Sequence, residues 1–183
     1  MTKIRFGDCS GVSLLVLLMI ALSPSVHAAD DEEQVLHFGY GSNMSESYMK
    51  QYTPGLKYVR NAQLPNFEIQ FRKYSENMQG GISSIIEKPG GMIYGVLYWI
   101  PRKEIEELDI LEDVPLGIYK RETFQVLGDD GEWYAADLYR VTEPKGPYEP
   151  AKQYLDLMIN GATEHGINAE WLATLKKWRA AQE

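Results

Sequence analysis

The segment Val35-Leu36-His37-Phe38-Gly39-Tyr40-Gly41-Ser42-Asn43-Met44 constrains the fold more than any other in the chain. It opens as an apolar run of strand length and breaks into Gly-Tyr-Gly-Ser-Asn, so Val35 to Tyr40 is expected to be a strand that stops abruptly. The two glycines allow backbone angles closed to other residues. Ser42 and Asn43 are short side chains suited to capping a following helix, for which Ser45 to Gln51 is long enough. A strand that ends in such a loop turns several backbone N–H groups toward one point, and that point attracts an anion such as a carboxylate or phosphate. The same residues also suit a tight turn with no ligand, so the rest of the chain has to decide between the two.

With 183 residues, 44% of them hydrophobic, the chain can build one domain with its own core. Its net charge of −8 argues against a nucleic-acid partner bound through phosphate neutralisation. Lys176, Lys177 and Arg179 read as a solvated helix end. The first residues have a different character. Lys3 and Arg5 precede an apolar run from Val12 to Leu22, Ser23-Pro24-Ser25 ends it, and Val26-His27-Ala28 places small residues where a signal peptidase reads. Residues 1–28 are therefore expected to be a cleavable secretory signal peptide, with residues 29–183 as the exported domain, periplasmic or secreted. The run is short for a bilayer span, so no stable membrane anchor is expected. The single cysteine, Cys9, would leave with the signal peptide, removing disulfides, a thiol nucleophile and thiolate metal sites from the mature protein. His37 and His165 lack paired ligand spacing, so neither a metal nor another cofactor is expected.

Along the domain, Tyr58–Leu64, Phe67–Phe71, Ile82–Glu87, Met92–Ile100, Tyr119–Leu127 and Trp133–Val141 read as strands. Phe67, Ile69 and Phe71 alternate with polar residues, and Lys88-Pro89-Gly90-Gly91 and Gly128–Glu132 read as turns. Helices are expected at Arg102–Leu111, Ala151–Glu164 and Asn168–Ala181. Seven strands and four helices without regular alternation point to an α+β fold, a mixed, mostly antiparallel sheet curled into a partial barrel with flanking helices.

The Arg102–Leu111 helix places Ile105 and Leu108 on one face, and seven residues beyond Ile105 the same face reaches Glu112. A carboxylate turned inward there, at the helix end where the dipole disfavours an anion, has its pKa raised by desolvation. That suits a general base for an amine. A helix already finished at Leu111 would instead leave Glu112 facing water.

Tyr40-Gly41-Ser42-Asn43 after an opening strand, an apolar strand containing Gly95-Val96, the helix end Leu108-Asp109-Ile110-Leu111-Glu112, and Tyr119 seven residues later together resemble the gamma-glutamylcyclotransferase family. The resemblance runs from about Leu36 to Ala173. It implies that the α-amine of a small γ-glutamyl substrate attacks its own γ-carbonyl, releasing 5-oxoproline and an amine or amino acid. It further implies that the loop, Phe38 to Asn43 (Phe38, Gly39, Tyr40, Gly41, Ser42, Asn43), binds the glutamyl α-carboxylate. Glu112 would shuttle the proton, with Tyr119 able to hold its carboxyl, and Tyr119, Tyr139 and Tyr154 would line the pocket. Such chemistry needs no protein nucleophile, because ring closure is an orientation problem. The chain departs from the family pattern at Gly39 and in Asp113-Val114-Pro115. Two other readings fit the same pocket: a binding module without turnover, and a γ-glutamyl transferase or amide hydrolase using the same glutamate. The sequence leaves the leaving group and the oligomeric state open.

Overall fold

The computed structural model describes residues 33–183, and the expected signal peptide lies outside them. Five strands form the sheet: β1 (Gln34–Gly39), β2 (Lys57–Ser75), β3 (Gly80–Pro101), β4 (Tyr119–Gly128) and β5 (Trp133–Val141). Their order is β1-β3-β2-β4-β5, and the sheet closes into a barrel. The pairs β1–β3, β2–β3, β2–β4 and β4–β5 are antiparallel. The closure itself is parallel, through His37 opposite Asp137. The α+β class and the mixed, mostly antiparallel sheet are as expected, and curling goes on to full closure.

The strand count falls from seven to five because the chain is not interrupted at two expected breaks, the gap between Leu64 and Phe67 and the Lys88–Gly91 turn. Pro65-Asn66 lies within β2 and Lys88–Gly91 within β3, and the two clusters face each other, with Pro65 opposite Met92 and Phe67 opposite Glu87. Asn66 and Gly90 both take positive φ, 65° and 76°, and the Asn66 side chain accepts the Gly90 N–H at 3.1 Å. Turn-forming residues at the same level on both strands bend the hairpin as a bulge.

Four helices flank the barrel: α1 (Glu46–Met49), α2 (Arg102–Leu111), α3 (Lys152–Glu164) and α4 (Ala169–Ala180). Helix α2 has the expected bounds and buries Ile105 and Leu108 completely. Helix α3 buries Tyr154, Leu155 and Met158, and α4 buries Trp171 and Leu175. Asn168 caps α4, its Oδ1 accepting the N–H groups of Glu170 and Trp171 at 3.0 Å each.

Candidate active site

Strand β1 ends at Gly39, and the chain turns at once through a 3-10 turn, Ser42–Met44. Met44 N–H donates to the Gly41 carbonyl (3.1 Å) and Ser45 N–H to that of Ser42 (3.0 Å). Neither Gly39 nor Gly41 has positive φ, so space, not backbone angle, demands glycine here. A Cβ on Gly39 would strike the Asn43 carbonyl, and one on Gly41 would strike the Tyr154 hydroxyl and Ser83 Oγ. The capping expectation also shifts. Ser45 caps α1, its Oγ accepting Tyr48 N–H at 3.4 Å, while Ser42 and Asn43 lie buried in the turn before it.

The loop walls a cavity of about 140 Å³ that it shares with the end of α2, β4, β5, α3 and the start of β3. Phe38, Tyr40, Gly41, Ser42, Asn43, Glu112, Tyr119, Tyr139 and Tyr154 all line it. Gly39, the remaining loop position expected there, does not line it, because it is packed under the Asn43 backbone.

Helix α2 does end at Leu111, and Glu112 is its C-cap residue, with φ −82° and ψ 10°. Even so its side chain faces the cavity, where Asn43 Nδ2 donates to its Oε1 at 3.1 Å. Glu112 keeps some accessible surface because it borders the cavity, yet the carboxyl itself is enclosed by protein. Desolvation pushes its pKa up from 4.5 to about 7; the Asn43 hydrogen bond opposes this, while Asp113 and Asp109 add to it. A carboxyl that titrates near neutrality can both take and return a proton at physiological pH.

The tyrosines are wall and scaffold. Tyr40 donates its hydroxyl to the Tyr139 carbonyl (2.6 Å), Tyr119 to the Ser83 carbonyl (3.0 Å) and Tyr139 to Asp109 (2.8 Å). Tyr154 shares a 2.6 Å hydrogen bond with Ser83 Oγ. Burial raises the pKa of all four, so they stay protonated. The expectation that Tyr119 holds the Glu112 carboxyl is corrected: Asn43 does so, and Tyr119 is spent on β3.

Sequence reasoning missed Ser83, which ties Tyr119 and Tyr154 to the barrel. The available signal was Ser83-Ser84, two small polar residues inside an apolar strand, both buried. His37, which the sequence marks only as a histidine without paired ligand spacing, is also among the residues that border the cavity. Behind the wall, Arg121 binds Asp109 at 2.9 and 3.1 Å and Asp137 at 2.6 Å, joining the end of α2 to β4 and β5.

Comparison with known proteins agrees with this geometry. The mouse gamma-glutamylcyclotransferase is 30% identical over 154 residues, covering 82% of this chain and 81% of the relative. The chain belongs to the gamma-glutamylcyclotransferase family. The human gamma-glutamylcyclotransferase is 29% identical over 150 residues, with 80% and 79% covered. The AIG2-like family matches residues 92–175, from the middle of β3 into α4. A solved structure titled gamma-glutamyl cyclotransferase superposes with a TM-score of 0.75 at 27% identity, covering 79% of this chain and 87% of the other. Membership in this family gives the cavity a reaction to be tested against.

Proposed function

We propose that this protein is a gamma-glutamylcyclotransferase acting on a small γ-glutamyl compound, with Glu112 as its proton shuttle. The observation that carries the reading is the enclosed Glu112 carboxyl, held by Asn43 and raised to about 7. The loop from Tyr40 to Asn43 holds the substrate's α-carboxylate with backbone N–H groups, placing the α-ammonium within reach of Glu112. Glu112 removes a proton and the amine attacks the γ-carbonyl carbon. The C–N bond to the leaving amine then breaks as Glu112 returns the proton to that nitrogen. Fixing the glutamyl chain in its ring-closing conformer supplies much of the rate.

The test is a panel of γ-glutamyl compounds incubated with the protein and assayed for 5-oxoproline by mass spectrometry. Free glutamate or a new amide in its place would favour hydrolysis or transfer, and binding without turnover would favour a binding module. Converting the substrate's α-carboxylate to an amide should weaken both binding and turnover, because each charge-assisted hydrogen bond contributes roughly 1.5–3 kcal/mol. Equal activity on the amide would leave the loop as a turn only.

Export is a separate proposal, supported by the basic start at Lys3 and Arg5, the apolar run Val12–Leu22 and the Val26-His27-Ala28 site. N-terminal sequencing of protein from its native host should find Ala29 first. A full-length chain in the cytosol would sink it.

A further inference from the structure

Of the two carboxyls in the helix end Leu108–Glu112, the proposed reaction gives a task to Glu112 and none to Asp109. Three residues apart, they share one face of the helix, where like charges repel. The last turn of α2 holds no basic residue to offset them, and the helix dipole disfavours both.

The compensation comes from the barrel. Arg121 on β4 meets Asp109 at two points, Nε donating to Oδ1 at 2.9 Å and Nη2 to Oδ2 at 3.1 Å. The Tyr139 hydroxyl on β5 donates to the same Oδ1 at 2.8 Å. The ion pair is largely buried, its side chains 18% and 22% exposed. A planar two-point pair of this kind fixes direction as well as distance. Arg121 is anchored in turn by Asp137, Nη1 to Oδ2 at 2.6 Å, and the other Asp137 oxygen accepts the Thr123 hydroxyl at 2.6 Å.

These contacts close a ring through the cavity wall. Tyr139 holds Asp109 with its hydroxyl and accepts the Tyr40 hydroxyl with its carbonyl at 2.6 Å. Tyr40 leads along the loop to Asn43, Asn43 donates to Glu112, and Glu112 returns to Asp109 through one turn of α2. Opened at Asp109, the ring loses its side-chain tie between the end of α2 and strands β4 and β5.

We propose that Asp109 is a positioning residue for Glu112: clamped by Arg121 and Tyr139, it fixes the end of α2 against the barrel and keeps the Glu112 carboxyl enclosed beside the loop. The inference rests on the cyclotransferase reading for its kinetic consequence alone. A general base works only within hydrogen-bond reach of its proton, and a misplacement of about 1 Å can cost on the order of 100-fold in rate. Around the clamp stand Arg121, Asp137 and the His37 ring. The charged groups near Glu112 are Asp109 and Asp113; the hydroxyls of Tyr40, Tyr48, Tyr119, Tyr139 and Tyr154 also lie near it, and burial keeps them protonated. Enclosure and the Asp109 charge both push the Glu112 pKa up, so the loss of either should lower it.

The test follows the Glu112 titration by carboxyl 13C NMR in glutamate-labelled protein, with its resonance assigned as the one lost in Glu112→Gln. The wild-type midpoint should lie at about 7. Asp109→Asn keeps the shape and removes the charge. Its Glu112 midpoint should fall toward the ordinary carboxylate range, and the acid limb of the kcat profile should move with it. On the plateau above both midpoints, where Glu112 is ionised in either protein, kcat should still be about 10- to 100-fold lower with KM little changed. Arg121→Lys keeps the positive charge and gives up the two-point grip, so a lowered midpoint there reports lost enclosure. Asn168→Ala, which uncaps α4, controls for stability: it should melt lower and leave the midpoint and kcat in place. A folded Asp109→Asn protein with wild-type plateau kcat overturns the assignment. So does a midpoint that falls in Asp109→Asn but stays fixed in Arg121→Lys, because charge alone would then explain it. The titration needs no substrate, so it decides the clamp even where no compound releases 5-oxoproline, an outcome that removes only the cyclotransferase reading.

Discussion

The loop that follows β1 is flanked on each of two sides by a glutamate and a histidine, and the two pairs sit in different surroundings. On the cavity side stand Glu112 and His37. On the other, a surface cleft is lined by Glu46, Tyr58, Glu164 and His165. Glu164 accepts the Glu46 N–H at 3.0 Å and Ser45 Oγ at 3.4 Å, so it closes the start of α1. His165 stacks on Tyr58, centroids 4.8 Å apart, and its Nε2 lies 2.8 Å from the Tyr98 hydroxyl. That hydroxyl gives its one proton to the Met44 carbonyl at 2.7 Å, so His165 is the donor and its ring is fixed. The second pair is spent on holding the loop. The first pair is enclosed, and its imidazole has no hydrogen-bond partner among the described residues. Residue type does not separate a candidate site from a scaffold; what separates these two carboxyls is that Glu112 faces an enclosed cavity while Glu164 closes the start of a helix.

The largest effect should come from exchanging one carboxyl on each side. Glu112→Gln keeps size and hydrogen bonding but cannot accept a proton, so turnover should fall roughly 100- to 10,000-fold while the fold and substrate binding persist. Glu164→Ala should instead keep turnover near wild type and lose about 1 kcal/mol of stability, the cost of an unmade cap. Denaturant melts and 5-oxoproline assays on both variants read the contrast. Equal turnover by wild type and Glu112→Gln would erase it.

A second prediction concerns pH. In the proposed mechanism the working base is the Glu112 carboxylate, so turnover should rise with pH and level off above about 7, the value to which burial lifts this group. Stability runs the other way. The folded-state pKa lies above the unfolded value of 4.5, so the contribution of the protonated carboxyl is full below pH 4.5 and is lost as pH rises through about 7. Relative to wild type, Glu112→Gln should gain stability between pH 5 and pH 8, on the order of 2 kcal/mol once the carboxyl's access to water is allowed for. Parallel unfolding curves at the two pH values check the sign; a variant that gains nothing would show that Glu112 is not desolvated.

The smallest effect is expected at the cavity mouth. The partly exposed lining residues Tyr48, Met78, Ile82 and Leu111 are apolar or aromatic, and in the proposed reaction the leaving group is expected to lie against them. Leu111→Ala should lower kcat/KM for γ-glutamyl compounds with an apolar leaving group by roughly 3- to 10-fold, the loss of a few buried methyl groups. It should matter less for small leaving groups, and a uniform loss across the panel would instead indicate a disturbed Glu112.

Much of this site could be read from the sequence, for local reasons. Tyr40 to Asn43, Glu112 and Tyr119 sit at the ends of regular elements, where an apolar run breaks and a polar residue follows on the buried face. Helix α2 was legible to its bounds because Pro101 starts it and Ile105 and Leu108 fix its face. What could not be read depends on pairing between distant residues. Pro65 and Gly90 mark turns when each is taken alone and become one bulge when they face each other. Ser83 gains its role only when β3 brings it beneath Tyr119 and Tyr154, and Asn43 only when α2 delivers Glu112. The same long-range pairing hides the closure of the barrel, which turns on one parallel contact between His37 and Asp137.

The β2–β3 hairpin runs from beneath the loop after β1 to the rim of the cavity. Near its base Tyr98 braces the loop from below, and at its tip Ser75, Met78, Ile82 and Ser83 border the cavity. The tip itself, Glu76, Asn77 and Gln79, is exposed, and its chain reversal is closed by local bonds such as Met78 N–H to Ser75 Oγ. Residues can be exchanged, added or lost there at little cost to the barrel, because the ladder below does not count on them. Changes at a few solvent-facing positions of this tip can therefore alter the rim of the cavity while leaving the barrel and the residues around Glu112 as they are.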